Sequence, residues 1–228
     1  MKELYSTYRN EVETTCQAFF LWKGIDNLAS KDEDILRGLN ESPLSWNTIR
    51  FSLQNTFFIL LGRLFDTDGD SFSVHTFLRG CILNIDQFSK ESLRERKISE
   101  SNGDKSWLDS YIESAYEPTK QDFHQLRGEI TKYKKIYEEI YRPIRNKVIA
   151  HKDSETINLQ RELYEKTNIG QIEEILNNLF QVKEVVFHLL HNGKLCKIGD
   201  FDFNFNEEEY MISDAEKLLN LIKVESRI

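Results

Sequence analysis

The stretch "TKQDFHQLRGEITKYKKIYEEIYRPIRNKVIAHKD", residues 119–153, decides the fold. Within it Phe123, Leu126, Ile130, Tyr133, Tyr137, Ile140 and Ile144 follow one another in alternating steps of three and four. That spacing gathers them on one stripe of an α-helix and on no other regular structure. The same helix is basic. Residues 120–152 hold nine Lys/Arg against four acids, net +5, while the chain as a whole carries −8, which leaves −13 for the rest. A basic element on an acidic body can favour one anionic ligand locally, although charge alone reads more simply as a solvated helix face.

Helical patterns continue on both sides. Residues 3–29 read as a first helix with Leu4, Tyr8, Val12, Thr15, Phe19 and Trp22 on one face. "ESPLSW" marks a break, Ser45 is a candidate cap, and a helix over 45–65 follows. Its C-terminal half is apolar almost all round, which predicts a central place in a bundle. Ser73 is a plausible N-cap for a helix through Phe88. Residues 90–105 are charged and end in a turn, "SNGDK"; a short helix spans 106–116 and another 168–191. "FDFNF" at 201–205 alternates like a short extended segment, and a last helix covers 207–225. The expectation is an all-α bundle of about five to seven helices, one domain over 1–228 with 196–228 as a C-terminal extension packed on it.

Composition supports this reading. Only 10 Gly and 3 Pro argue against a sandwich or barrel, and 15 Phe with 9 Tyr can fill a core. Cys16, Cys81 and Cys196 are odd in number and widely spaced, so reduced buried thiols are expected rather than a disulfide framework or a zinc knuckle. The N-terminus lacks the apolar run of a signal peptide, and "FFILLGRLF" at 57–65 is far shorter than the ~20 residues of a membrane span. A cytoplasmic protein without a membrane partner is the expectation.

Arg145, Asn146 and His151 concentrate chemistry just after Pro143. In an unbroken helix, residues six apart lie roughly 120° apart around the axis, too far to converge on one small group. Pro143 has no N–H for the Glu139 carbonyl, which favours a kink or break, and it pushes Arg142 from helical geometry. It can instead open a fresh turn. Arginine offers a permanent fork of donors for phosphate, and histidine exchanges protons near neutral pH. Asn146 can bond a substrate or orient a neighbour. The bland alternative puts Arg145 on a helix C-terminus or a carboxylate and His151 in the core.

"RNKVIAH" matches the R-x(4–6)-H pattern of the HEPN superfamily, and "YRPIRNKVIAHKD" resembles its U-type abortive-infection branch. "GRLFDTDGDSFSVHTFL" at 62–78 is similar to that branch as well. The resemblance implies a helical bundle that forms a two-fold homodimer and brings two motifs together. It further implies a metal-independent endoribonuclease of a defence or toxin–antitoxin system, with Arg145, Asn146 and His151 catalytic. Arg142, Lys147 and Lys152 are then expected to contact RNA. The RNA 2′-OH would be the nucleophile, His151 the proton-transfer residue and Arg145 the group that stabilises the phosphorane-like transition state. An antitoxin or a nucleotidyltransferase is the implied protein partner. No cofactor and no metal is expected. The subgroup whose motif continues His-x-Tyr has four residues between Arg and His and a tyrosine two places on. Here five residues separate them and Asp153 stands at that place, so modification of that tyrosine does not carry over. The alternative from another class is a non-catalytic HEPN module that binds RNA, nucleotide or protein.

Other constellations are weaker. Asp66, Asp68 and Asp70 open like a calcium loop, but Ser71 stands where Gly is required and Phe77 where the bidentate Glu belongs. Arg63 and Asp66 read as a local ion pair. His188 and His191 lack a carboxylate or second cysteine for zinc. Tyr133, Tyr137 and Tyr141 could stack bases, but their stripe position favours packing.

Overall fold

The computed structural model describes residues 1–66, 71–101, 103–150, 156–203 and 208–223. It is all-helical among them. Helix α1, Lys2–Lys31, turns Tyr5, Tyr8, Val12, Cys16, Phe19 and Phe20 inward, and it ends at Asp32. The Asp32 carboxylate accepts from the backbone N–H groups of Asp34 and Ile35 and so caps α2, Glu33–Glu41. That helix is an addition to the sequence expectation. Helix α3, Pro43–Phe65, begins with the proline in its first turn, after Ser42 rather than at Ser45. Its second half buries Phe57, Phe58, Leu60, Leu61, Leu64 and Phe65, which makes it the central helix as expected.

Ser73 caps α4, Val74–Leu83, by accepting from Thr76 N–H, and a 3₁₀ turn, Ile85–Phe88, completes that stretch. The charged segment after it is helical before its closing turn. Ser89 caps α5, Lys90–Glu100, whose Leu93 is buried against α6, Leu108–Ser114. A Thr119–Asp122 capping box starts α7, Lys120–Ile136. The chain then runs on helically through a π-turn, Tyr137–Tyr141, then α8, Arg142–Ile144, and a second π-turn, Arg145–Ala150. Helices α9, Thr156–Glu165, α10, Ile169–Phe187, and α11, Tyr210–Asn220, complete the bundle, with a further π-turn at His188–Asn192. Residues 201–203 form a bend and enter helical geometry, so this part of "FDFNF" is not extended.

The core is an aromatic mass between α1, α3, α4, α7 and α10. Tyr8 stacks on Phe77 at 4.1 Å between ring centroids, and Phe19 meets Phe57 at 5.1 Å. Lys183, though buried, is satisfied by Glu13 at 3.1 Å and Glu184 at 3.3 Å, tying α10 to α1. Arg63 reaches across to Glu11 of α1 at 2.6 Å instead of pairing locally with Asp66. All three cysteines are buried and form no disulfide among the described residues. No helix there is long and apolar enough to cross a membrane.

Candidate functional site

Pro143 shapes the site through the helix that contains it. With no N–H on Pro143, the carbonyl of Glu139 cannot receive its usual i+4 bond. The turn before it widens, and Arg142 N–H donates to the Tyr137 carbonyl five residues back. Arg142 stays helical, with φ −59° and ψ −41°, so the expected displacement from helical geometry does not occur. Pro143 sits in the first turn of α8, the alternative the sequence left open. The wide turn also changes which side chains face inward. Tyr137, Tyr141 and Ile144 are buried, while Ile140 is only half-buried.

This register aims Arg145 at α3. It packs over Gly62, where an added Cβ would lie 2.6 Å from Arg145 Cδ, 2.7 Å from its Nε and 3.0 Å from Tyr137 Oη. Gly62 is therefore a gap in the wall of α3 that the arginine occupies. A small cleft opens there, lined by Gly62, Phe65, Asp66, Tyr137, Arg142 and Arg145 together with Glu138. Tyr137 stacks on Phe65, with centroids 5.3 Å apart and ring planes 16° apart. Burial pushes the Tyr137 hydroxyl above its ordinary pKa of 10.0, against the pull of the Arg145 and Arg142 guanidinium groups. It is thus a neutral donor through the physiological range.

Arg145 is half-buried, and among the described residues no carboxylate pairs with it. The bland reading of a structural ion pair finds no partner for it there. Arg142 shares the cleft, whereas Asn146 and Lys147 are exposed and do not line it. His151 and Lys152 lie outside the described residues, as do Asp68, Asp70 and Asp153. The structure thus brings Arg142 and Arg145 together and adds Gly62, Phe65, Asp66 and Tyr137. Gly62, Phe65 and Asp66 belong to the upstream stretch "GRLFD", and that similarity was the signal available for them. Tyr133, Tyr137 and Tyr141 pack inside the bundle rather than forming a base-stacking platform. Tyr141 Oη lies 3.0 Å from Gln171 Oε1 and 3.2 Å from the Asn168 carbonyl.

The remaining histidine pair serves packing. His188 stacks on Phe201 at 5.2 Å, and its Nδ1 lies 3.0 Å from Asn192 Nδ2. His191 packs against Phe187 at 4.9 Å. Among the described residues no cluster of His, Cys, Asp or Glu is arranged to hold a metal.

A helical bundle whose basic, proline-containing helix turns a motif arginine into a cleft agrees with the HEPN class that the motif resembles. A family model described as AbiU2, HEPN_AbiU2, matches residues 1–211, and the chain belongs to that family. The match takes in both Gly62 and Arg145. Neither the curated proteins nor the solved structures yielded a match.

Proposed function

We propose that this protein is a metal-independent endoribonuclease of an abortive-infection or toxin–antitoxin system. The observation that carries the reading is Arg145, a permanent cation seated in a cleft over Gly62 with no carboxylate partner among the described residues. In this reading the RNA 2′-OH attacks the adjacent phosphorus and gives up its proton to His151. The O2′–P bond forms, the P–O5′ bond breaks, and the departing 5′-oxygen takes up a proton from the His151 imidazolium. The products are a 2′,3′-cyclic phosphate and a 5′-hydroxyl. Arg145 stabilises the charge that gathers on the non-bridging oxygens, where a fixed donor in a partly dry site acts most strongly. Arg142 supports it in the cleft, Asn146 orients substrate, and Lys147 and Lys152 hold the flanking backbone.

A two-fold homodimer is part of the proposal, and its support lies on α3 rather than on the 119–150 helix. The large apolar residues of that helix are buried or half-buried. By contrast Phe51 is 61% exposed and Ile59 43% exposed. Positions 51, 55, 59 and 62 follow at helical spacing, so Phe51 and Ile59, with the polar Asn55 between them, lie on the face that leads to Gly62. A second copy docked on it would set two clefts side by side.

Replacing the two motif residues separately tests the chemistry. His151→Ala removes proton transfer but leaves the basic element, so cleavage falls by about 10²–10⁴-fold with RNA affinity little changed. Arg145→Ala weakens both. Folded variants that cleave like the wild type overturn the proposal.

A further inference from the structure

Tyr137 contains an anomaly. The residue is 3% exposed, and its hydroxyl is buried with no hydrogen-bond partner of good geometry among the described residues. Tyr8 and Tyr141, both with no exposure, behave otherwise. Tyr8 Oη donates to the Leu179 carbonyl at 3.1 Å, and Tyr141 Oη has the two partners given above. An unpaired buried hydroxyl is destabilising, and phenylalanine would stack on Phe65 equally well without that cost. Apolar packing therefore gives no reason for the oxygen, whose polar neighbour is the Arg145 guanidinium.

Position supplies a reason. Tyr137 Oη and Arg145 Nε both border the space above Gly62, at 3.0 and 2.7 Å from the point where a side chain would begin. The cavity they share measures about 10 Å³. That is the lower limit for one water-sized atom, too small for a phosphate and suited to one of its oxygens. Asp66, Glu138 and Arg142 also line it.

We propose that the small cleft beside Gly62 is a pocket for a single non-bridging oxygen of a phosphodiester, with Tyr137 Oη and Arg145 as two of its donors. Tyr137 is then a substrate-contacting residue that the motif itself does not include. Its hydroxyl supplies a neutral hydrogen bond beside the arginine's charge, and Phe65 fixes the ring from behind. The inference rests on the reading of Arg145 as a phosphate-binding group, but it does not require that the bound strand be cut.

The test uses the full chain and Tyr137→Phe, which deletes one oxygen and keeps the stacking. The probe is a single-stranded 2′-O-methyl oligouridylate, which cannot be cleaved, and binding is read by fluorescence anisotropy beside a melting curve. The expected result is about tenfold weaker binding, the size of one hydrogen bond to a charged group, with Tm unchanged or raised. Equal affinity of variant and wild type overturns the inference, as does a wild type that does not bind the probe. A large fall in Tm also overturns it, because the hydroxyl would then be structural. If Tyr137→Phe binds normally while Arg145→Ala does not, the pocket fails and the ribonuclease reading stands. If Tyr137→Phe binds weakly but the 2′-hydroxyl strand is never cut, the pocket stands and the ribonuclease reading fails.

Discussion

Gly62 decides what Arg145 can do, because any side chain there competes with the guanidinium for the same space. Gly62→Ala puts a methyl group within 3 Å of Arg145 Cδ and Nε, and the arginine's flexible stem is the part able to yield. RNA affinity and cleavage are therefore expected to fall together by about tenfold or more, with a Tm change of only a few degrees. Full activity in Gly62→Ala, measured with a cleavage assay beside a melting curve, contradicts this placement. Arg145 was legible in the sequence because its motif is local. Gly62 was legible only as part of a resemblance, since nothing in an isolated glycine says which distant side chain fills its gap. Arg63 shows the same limit. Its spacing to Asp66 suggested a local pair, but the packing of α1 against α3 offered Glu11 instead.

Element by element, Pro143 matters for register more than for interruption. Periodicity located the helix and its apolar stripe, but the stripe says nothing about how the missing N–H is accommodated. A widened turn solves that problem, and Tyr141 rather than Ile140 takes the inward place between Tyr137 and Ile144. Pro143→Ala restores the donor and lets the turn relax to α-helix, a register change of roughly 100° for whatever follows. Stability is expected to hold or rise while RNA binding drops, because Arg145 turns away from Gly62. A variant that keeps wild-type affinity would show that the wide turn is incidental. The π-turn at His188–Asn192 yields a pH expectation. Burial lowers the pKa of His188 and His191 below 6.5, as it does for His75 on α4. A depressed folded-state pKa gives stability that is present above the unfolded value and lost as pH falls through the folded one. Tm should therefore decline as pH drops below about 6.5, and His191→Phe should flatten that decline. Tm that is constant across the interval contradicts the assignment. Helices α2 and α5 escaped sequence reading because each is short and largely solvated, held by a serine or aspartate cap and a few buried residues.

The whole molecule is an acidic bundle with one basic helix, and two exposed apolar residues on α3, Phe51 and Ile59, lie on the face that leads to the cleft. The bundle class was legible from periodicity, whereas the unpartnered face was not. The large apolar residues of the long helix 119–150 are covered or half-covered within one chain. Light scattering is expected to give twice the 27.0 kDa chain mass at micromolar concentration. Phe51→Glu is expected to yield a folded monomer with little cleavage. A wild-type monomer, or a dimer indifferent to Phe51→Glu, contradicts that interface. The central claim, cleavage through the RNA's own 2′-OH without a metal, meets its most direct test in the product ends. The wild-type protein is incubated in EDTA with an RNA strand and with its counterpart lacking the 2′-hydroxyl, and the termini are analysed. The account predicts undiminished cutting of the RNA to 2′,3′-cyclic phosphate and 5′-hydroxyl ends, and none of the 2′-deoxy strand. Activity that disappears with EDTA and returns with magnesium, or cleavage of the 2′-deoxy strand, contradicts it.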